Sequence, residues 1–389
     1  MNIKDYQKEF NNVVRFVEII TTTGGIRNNE DKKNKWAAFK KENVQLIKRL
    51  FNITEELTLN PCNVISFDID EEKNLLLLNY TSQAHNVLHV YENGWSNELK
   101  LCRGLVFSFG KEVKLVSRGF EKFFNANEQK ENQANSLTNR YKGKFNAYEK
   151  IDGHMIEFFE NEKELCATTR GKFNTPSAQE SLTLIKRKEW DQCKYFLKTA
   201  HGIDLMTIVA ELVTPSSKVL VDYNSKEEVY ILAAYDSLGS KISYNLMKTI
   251  NSFIGNSNLP KVLTFTVKKM IKEIRRRDID NHEGWVMDLD GTLLKFKYNN
   301  YIGMMVSSKM SYRYLMQTIM NKTTKKMIGT LDQQNLSNAE LLLKNIRSKE
   351  IECKNINSYK PLYELWSDEE GSLNYFRLVC RKFFKSLEG

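Results

Sequence analysis

The sequence predicts an α+β fold built on antiparallel sheets and followed by a small all-helical C-terminal domain. Three observations carry that prediction. Short apolar runs of strand character recur from about residue 63 to 300, among them IEFFE, TIVAELV and LLKFKY. Helix-like stretches fall between them without the regular strand–helix alternation of a parallel sheet. Strand signals then stop near residue 302, and MSYRYLMQTIM, NAELLLKNIRSKEI and SLNYFRLVCRKFFKSL all have helical spacing.

Residues 1–60 are predicted to be a helical N-terminal extension. Val13, Val14, Phe16, Val17, Ile19 and Ile20, and later Val44, Ile47, Leu50 and Phe51, recur at helix-like spacing on either side of the polar TTTGGIRNNEDKKNK. Residues 61–302 form the strand-rich second segment. VISFDIDEEKNLLLLNY places two apolar runs around a polar centre, which predicts a hairpin. VLHVY, LVFSF, KLVSR, LCATT, EVYILAAYD and GWVMDLD add further strands, with helices expected over 177–200 and 243–275. Residues 303–389 make the helical third segment.

At 389 residues and 41% hydrophobic content, the chain can bury a core in two or three domains. No apolar run is long enough to span a membrane, and MNIKDYQKEFNNVVRF has no apolar signal core, so a cytoplasmic location is expected. The six cysteines are scattered without a CxxC pair, and the five histidines do not cluster with them. That argues against a zinc site or a disulfide framework and predicts buried free thiols. The net charge of +10 points to an anionic partner, with nucleic acid the leading class.

The stretch with the most chemical potential is Tyr148-Glu149-Lys150-Ile151-Asp152-Gly153-His154, flanked by Met155, Ile156, Phe158 and Phe159. A lysine is a nucleophile only as the neutral amine, a form favoured by burial or neighbouring positive charge. It can then carry a covalent intermediate. The plain alternative is a surface lysine beside an Asp-Gly turn.

Further stretches follow in order. Arg103-Gly104 opens an apolar strand, and a guanidinium fork suits phosphate oxygens. Lys122 sits beside Phe123 and Phe124, with Glu128 close behind; a core aromatic pair with a snorkelling lysine is the alternative. Arg170-Gly171 ends a strand. Glu211 lies inside the apolar Val209–Val213 and needs a partner there, whether a cation, a ribose or a metal. Glu283-Gly284 precedes a strand pair that ends in Lys295 and Lys297. Those two lysines share a strand face, where a phosphate would relieve their repulsion.

Taken together, Lys-x-Asp-Gly, Arg-Gly, a strand Glu, and Glu-Gly before Lys-x-Lys resemble the covalent nucleotidyltransferase superfamily of polynucleotide ligases and capping enzymes. Cys102-Arg103-Gly104-Leu105-Val106-Phe107 and Glu121-Lys122-Phe123-Phe124-Asn125 narrow the resemblance to the phage-type single-strand RNA ligases, over roughly residues 63–300. The resemblance implies an antiparallel-sheet nucleotidyltransferase core of ATP-grasp-like ligase type. It also implies an ATP-dependent RNA ligase that joins 5′-phosphate and 3′-hydroxyl ends through lysyl-AMP and RNA-adenylate, with tRNA repair as the expected setting and a monomer as the expected state.

By the same resemblance Lys150 would attack the α-phosphate of ATP. Lys295 and Lys297 would stabilise its charge, and Arg103 and Lys122 would grip the triphosphate. Phe124 would shape the nucleotide pocket, with Glu149, Asp152 and Gly153 in the nucleotide motif. Arg170, a lysine in some relatives, would lie by the ribose or a phosphate. Glu211 and Glu283 would serve the ribose and a magnesium or manganese ion.

No Walker loop is present, so a fused P-loop kinase is not expected. Candidate RNA contacts are Lys309, Tyr312, Arg313, Lys322 to Lys326, and Arg275 to Arg277. The alternatives are a DNA ligase or guanylyltransferase of the same superfamily, usually with a β-barrel after the Lys-x-Lys strand, and a non-catalytic RNA-binding protein on this fold.

Overall fold

Apolar side chains one helical turn apart turn the N-terminal segment into three helices: α1 (Gln7–Thr21), α2 (Asn29–Glu42) and α3 (Val44–Phe51). The Asn28 side chain caps α2 by accepting from the amide of Asp31, and α2 has acids in its first turn and lysines in its last. Phe16 of α1 meets Trp36, Phe39 and Phe51 edge-on. The computed structural model describes residues 7–51, 64–81, 95–276, 278–308 and 311–320. From there to 366 it describes all but 321, 330, 332 and 359, and it also describes 84, 380 and 383. The chain divides into two compact units, one of Met1–Val267 with Trp285–Lys295 and the other of Lys268–Gly284 with Phe296–Gly389.

The helical face of the first unit packs on a four-stranded sheet, β1 (Ile65–Asp70), β2 (Leu75–Tyr80), β3 (Arg103–Ser108) and β4 (Lys114–Ser117), in that order. The expected hairpin is β1–β2, antiparallel from Ile65↔Tyr80 to Asp70↔Leu75. The short helix α4 (Asn97–Leu101) leads into β3.

Two five-stranded sheets build the rest. One has the order β11 (Ser257–Asn258), β10 (Glu228–Asp236), β9 (Leu205–Val213), β7 (His154–Asn161), β8 (Glu164–Thr169). The other has the order β12 (Val262–Phe265), β6 (Phe145–Lys150), β13 (Gly284–Leu289), β14 (Thr292–Lys297), β5 (Phe124–Asn125). The short helix α5 (Ala134–Arg140) precedes β6. One face of β7 and β9 (Ile156, Phe158, Ile208, Ala210, Leu212) is covered by Trp190, Cys193, Leu197, Met247 and Ile250. Strand alternation therefore turns Met155 and Glu211 to the opposite face.

The helix expected over 177–200 is two helices, α6 (Pro176–Leu184) and α7 (Arg187–His201). Thr175 caps α6, and Gly202, at φ 66°, ends α7 in the left-handed conformation. The helix expected over 243–275 is corrected more deeply. It is α8 (Tyr244–Phe253), then β11 and β12, then α9 (Val267–Glu273). Pro260 cannot continue a helix, and Val262–Phe265 instead pairs antiparallel with β6, Val262 facing Tyr148. The strand expected at VLHVY, 87–91, lies outside the described residues. So does most of the last expected helix.

The second unit contains α10 (Asn299–Ser308), α11 (Tyr312–Met320), α12 (Thr324–Ile328), α13 (Gln333–Asn355) and a 3₁₀ segment, Lys360–Trp366. Leu315, Met316, Leu343, Ile346, Leu362 and Phe383 form its core. Among the described residues, no strand follows Lys297, and no helix is long and apolar enough to cross a membrane. Cys102, Cys166, Cys193, Cys353 and Cys380 are buried free thiols, as expected.

One turn fixes the end of β6. The Asp152 carboxylate accepts from the amides of Leu220 and Val221, both at 2.9 Å, and its own amide donates to the Tyr223 hydroxyl at 2.8 Å. Gly153 then crosses β9 so closely that a Cβ there would lie 2.2 Å from the carbonyl oxygen of Leu212. The Gly153→Ala variant is expected to lose on the order of 2 kcal/mol, because the obstacle is backbone in a sheet. A thermal melt several degrees below wild type checks this; an unchanged melt would show that the crossing can yield.

Candidate active site

Side chains from seven strands, β10 through Ile231 and Leu232 among them, line one cavity of about 370 Å³ in the first unit. On β13, Trp285, Met287 and Leu289 are buried, while Val286 and Asp288 line the cavity. On β14, Leu294 is buried, and Leu293 and Lys295 line the cavity. β6 contributes Tyr148, Glu149 and Lys150, β7 Met155, β9 Glu211 and β3 Arg103. Phe120, Phe123, Tyr244, Met247 and Pro260 help make the rest of the wall apolar and aromatic. Such a lining suits a base stacked among apolar groups with a charged tail beside it.

Four cationic groups line this space, Arg103, Lys150, Lys241 and Lys295, together with three acids, Glu149, Glu211 and Asp288. Arg103 donates to the carbonyl oxygen of Phe120 at 3.4 Å and lies 5.5 Å from the centre of the Phe123 ring. The Lys295 ammonium lies 4.4 Å from the same ring centre. Desolvation in the cavity pushes the Lys241 amine below its ordinary value, and the Asp288 charge partly offsets that. Burial, and then Asp288, raises the Tyr148 hydroxyl. Among the described residues no three His, Cys, Asp or Glu side chains gather as a ready metal site.

The structure thus brings together Arg103, Glu149, Lys150, Glu211 and Lys295. Lys122 and Phe124 line a second cavity of about 260 Å³, which also touches Phe120, Phe123, Lys241, Asp288 and Leu293. There the Lys122 ammonium lies 4.5 Å from the Phe124 ring and 5.4 Å from Trp95, with Glu128 at 3.5 Å. Asp152 and Gly153 hold the turn described above. Arg170 is exposed and packs over Tyr80 at 5.2 Å. In the second unit, buried Glu283 pairs with Lys297 at 2.8 Å, and Lys297 lies 4.9 Å from the Tyr301 ring.

Of the candidate RNA contacts, Lys322 and Lys325 are exposed, and the Tyr312 hydroxyl accepts from Asn345. Arg275 is exposed, and Arg276 is ion-paired with Glu273 and Asp278. Lys309, Arg277 and the side chains of Arg313 and Lys326 lie outside the described residues.

Sequence reasoning missed Phe123, Tyr148, Lys241 and Asp288. Tyr148 and Asp288 were open to the same alternation argument that paired Lys295 with Lys297. Lys241 follows a turn and carried no pattern.

The model of the RNA ligase family matches residues 101–302. A candidate RNA ligase of Thermovibrio ammonificans is 27% identical over 223 residues, 57% of this chain and 53% of that protein. A candidate bifunctional polynucleotide kinase/RNA ligase of Autographa californica nuclear polyhedrosis virus is 35% identical over 106 residues, 26% of this chain and 14% of that protein. The chain therefore spans about half the length of the first relative and a small part of the second. An archaeal ATP-dependent RNA ligase (form 1) aligns at a TM-score of 0.49 and 14% identity, over 78% of this chain and 82% of that one.

One buried carboxyl lies close to Arg103. Glu157 shares the β7 face of Met155, is fully buried, and accepts from the Ser117 hydroxyl at 2.7 Å. Burial raises its pKa to about 8, against the opposing pull of Ser117, Arg103 and Arg118. Between its ordinary 4.5 and about 8, the folded chain holds a proton that the unfolded chain has lost. Stability should therefore fall as pH rises through that window and level off above it, by a few kcal/mol at most. Urea unfolding across the window should show this slope in the wild type and a flatter one in Glu157→Gln, which mimics the protonated acid. An equal slope in both would assign the proton elsewhere.

Proposed function

The chain belongs to the RNA ligase family, and from that premise we propose that it is an ATP-dependent ligase that joins a 5′-phosphate RNA end to a 3′-hydroxyl RNA end. The observation that carries this reading is the meeting of Arg103, Lys150, Glu211 and Lys295, far apart in sequence, around one cavity. An apolar wall for a base beside clustered positive charge is what a nucleoside triphosphate requires.

In the proposed first step the neutral amine of Lys150 attacks the α-phosphate of ATP. A nitrogen–phosphorus bond forms, the bond to the β-phosphate breaks, and pyrophosphate leaves. Positive charge from Arg103 and Lys295 would offset the charge gathering on the phosphate oxygens. Next, a 5′-phosphate oxygen of RNA attacks the adenylate, freeing Lys150 and forming RNA-adenylate. The 3′-hydroxyl of the second end then attacks that 5′-phosphate, and AMP departs.

Magnesium or manganese would neutralise phosphate charge when bound. Such ions use one or two carboxylates together with substrate phosphates. Glu211, which lines the cavity, is the carboxylate proposed for that role, and its hard oxygens fit it; Glu283 is buried in its own ion pair with Lys297. Lys122 remains assigned to the triphosphate and Arg170 to the ribose or a phosphate. RNA would be gripped mainly through its backbone by a monomeric protein of net charge +10, which makes binding salt-sensitive. Repair of broken tRNA is the proposed setting.

Incubation with α-labelled ATP should leave label on the protein, and α-labelled GTP should not. Peptide mapping should find the label on Lys150 rather than on Lys241 or Lys295, the other lysines at the cavity. Lys150→Ala should lose both labelling and strand joining, by about 1,000-fold or more, because no other group replaces a covalent nucleophile. Strand joining that survives Lys150→Ala would overturn the assignment.

A further inference from the structure

We infer that Phe123 is a positioning residue. Its ring holds Arg103 and Lys295 together as one anion-binding pair that receives the polyphosphate of the nucleotide. This rests on the reading of the cavity as a nucleoside triphosphate site.

Two cations from different sheets share this one ring, Arg103 of β3 at 5.5 Å and Lys295 of β14 at 4.4 Å. Both lie within the reach at which an aromatic face attracts a positive charge. Both groups line the one cavity, where like charges repel. The ring is itself fixed. The segment that follows it runs parallel to β14, with Phe124 beside Leu294 and Asn125 beside Lys295, and the amide of Ala126 donates to the Lys295 carbonyl at 2.8 Å. Phe120 meets Phe123 nearly edge-on at 5.8 Å, and the Phe120 carbonyl oxygen accepts from Arg103.

The neighbouring residues face elsewhere. Lys122 and Phe124 pack on each other in the second cavity with Trp95. Phe123 thus lines both cavities and Phe124 the second, and the placing of Arg103 and Lys295 depends on Phe123.

The test uses the full-length protein with Phe123→Leu, Phe123→Tyr and, at the same position, phenylalanines of increasing fluorination. Fluorination drains the ring face of negative charge while nearly keeping its shape. Two readouts are taken: binding of inorganic tripolyphosphate by calorimetry, and the rate of self-adenylylation with its KM for ATP. Phe123→Leu should bind tripolyphosphate about tenfold more weakly, while Phe123→Tyr should stay within about threefold of wild type, since only the former loses the ring face. The fluorinated series should weaken in steps with an unchanged thermal melt, which a purely packing role would not produce. Tripolyphosphate binding and adenylylation that stay at the wild-type level throughout the fluorinated series would overturn the inference while leaving the ligase reading intact. A wild-type protein that binds no tripolyphosphate would overturn the inference together with the reading of the cavity.

Discussion

Like charges gathered in a small space repel, and the first unit depends on how that repulsion is contained. Two unit charges 4 Å apart cost about 4 kcal/mol at the effective dielectric of a protein surface. The cavity has Arg103, Lys150, Lys241 and Lys295 in its wall. Glu149, Glu211 and Asp288 offset part of that charge, and an aromatic ring receives two of the cations. The sheets make such crowding tolerable because each charged strand is anchored by its opposite face. Trp285, Met287 and Leu289 hold β13 in place, and Ile208, Ala210 and Leu212 hold β9. A site of this kind is stable without its ligand only because the cores on either side of it are well packed.

Much of this was legible in the sequence, and the reason is the two-residue period of a strand. Glu211 stood out because it interrupts an apolar run, and Lys295 because Leu294 and Phe296 flank it. The α+β class, the hairpin at residues 65–80 and the helical tail followed from apolar spacing in the same way. Other features were hidden because they depend on contacts between distant segments. The strand Val262–Phe265 has little alternation of its own and forms because β6 offers it an edge. Lys122-Phe123-Phe124 shows which residues are aromatic but not which cavity each one serves.

The Asp-Gly pair after Lys150 shows how a motif residue can set the local geometry. Asp152 is buried and accepts from two backbone amides, and Gly153 lets two strands cross at close range. Both fix the end of the strand that bears Lys150, the proposed nucleophile.

The oxygen of Glu157 that makes no hydrogen bond sits where side chains at Gly104 and Gly119 would be. A Cβ would come within 2.0 Å of it at the first position and 2.4 Å at the second. These three positions therefore form a mutationally locked set. A larger residue at 119 needs a shortened 157 and also a shift of the Arg103 carbonyl, which would lie 2.9 Å from the new Cβ. Drift at these sites would have to proceed in a fixed order, and related chains should show them changing jointly rather than singly.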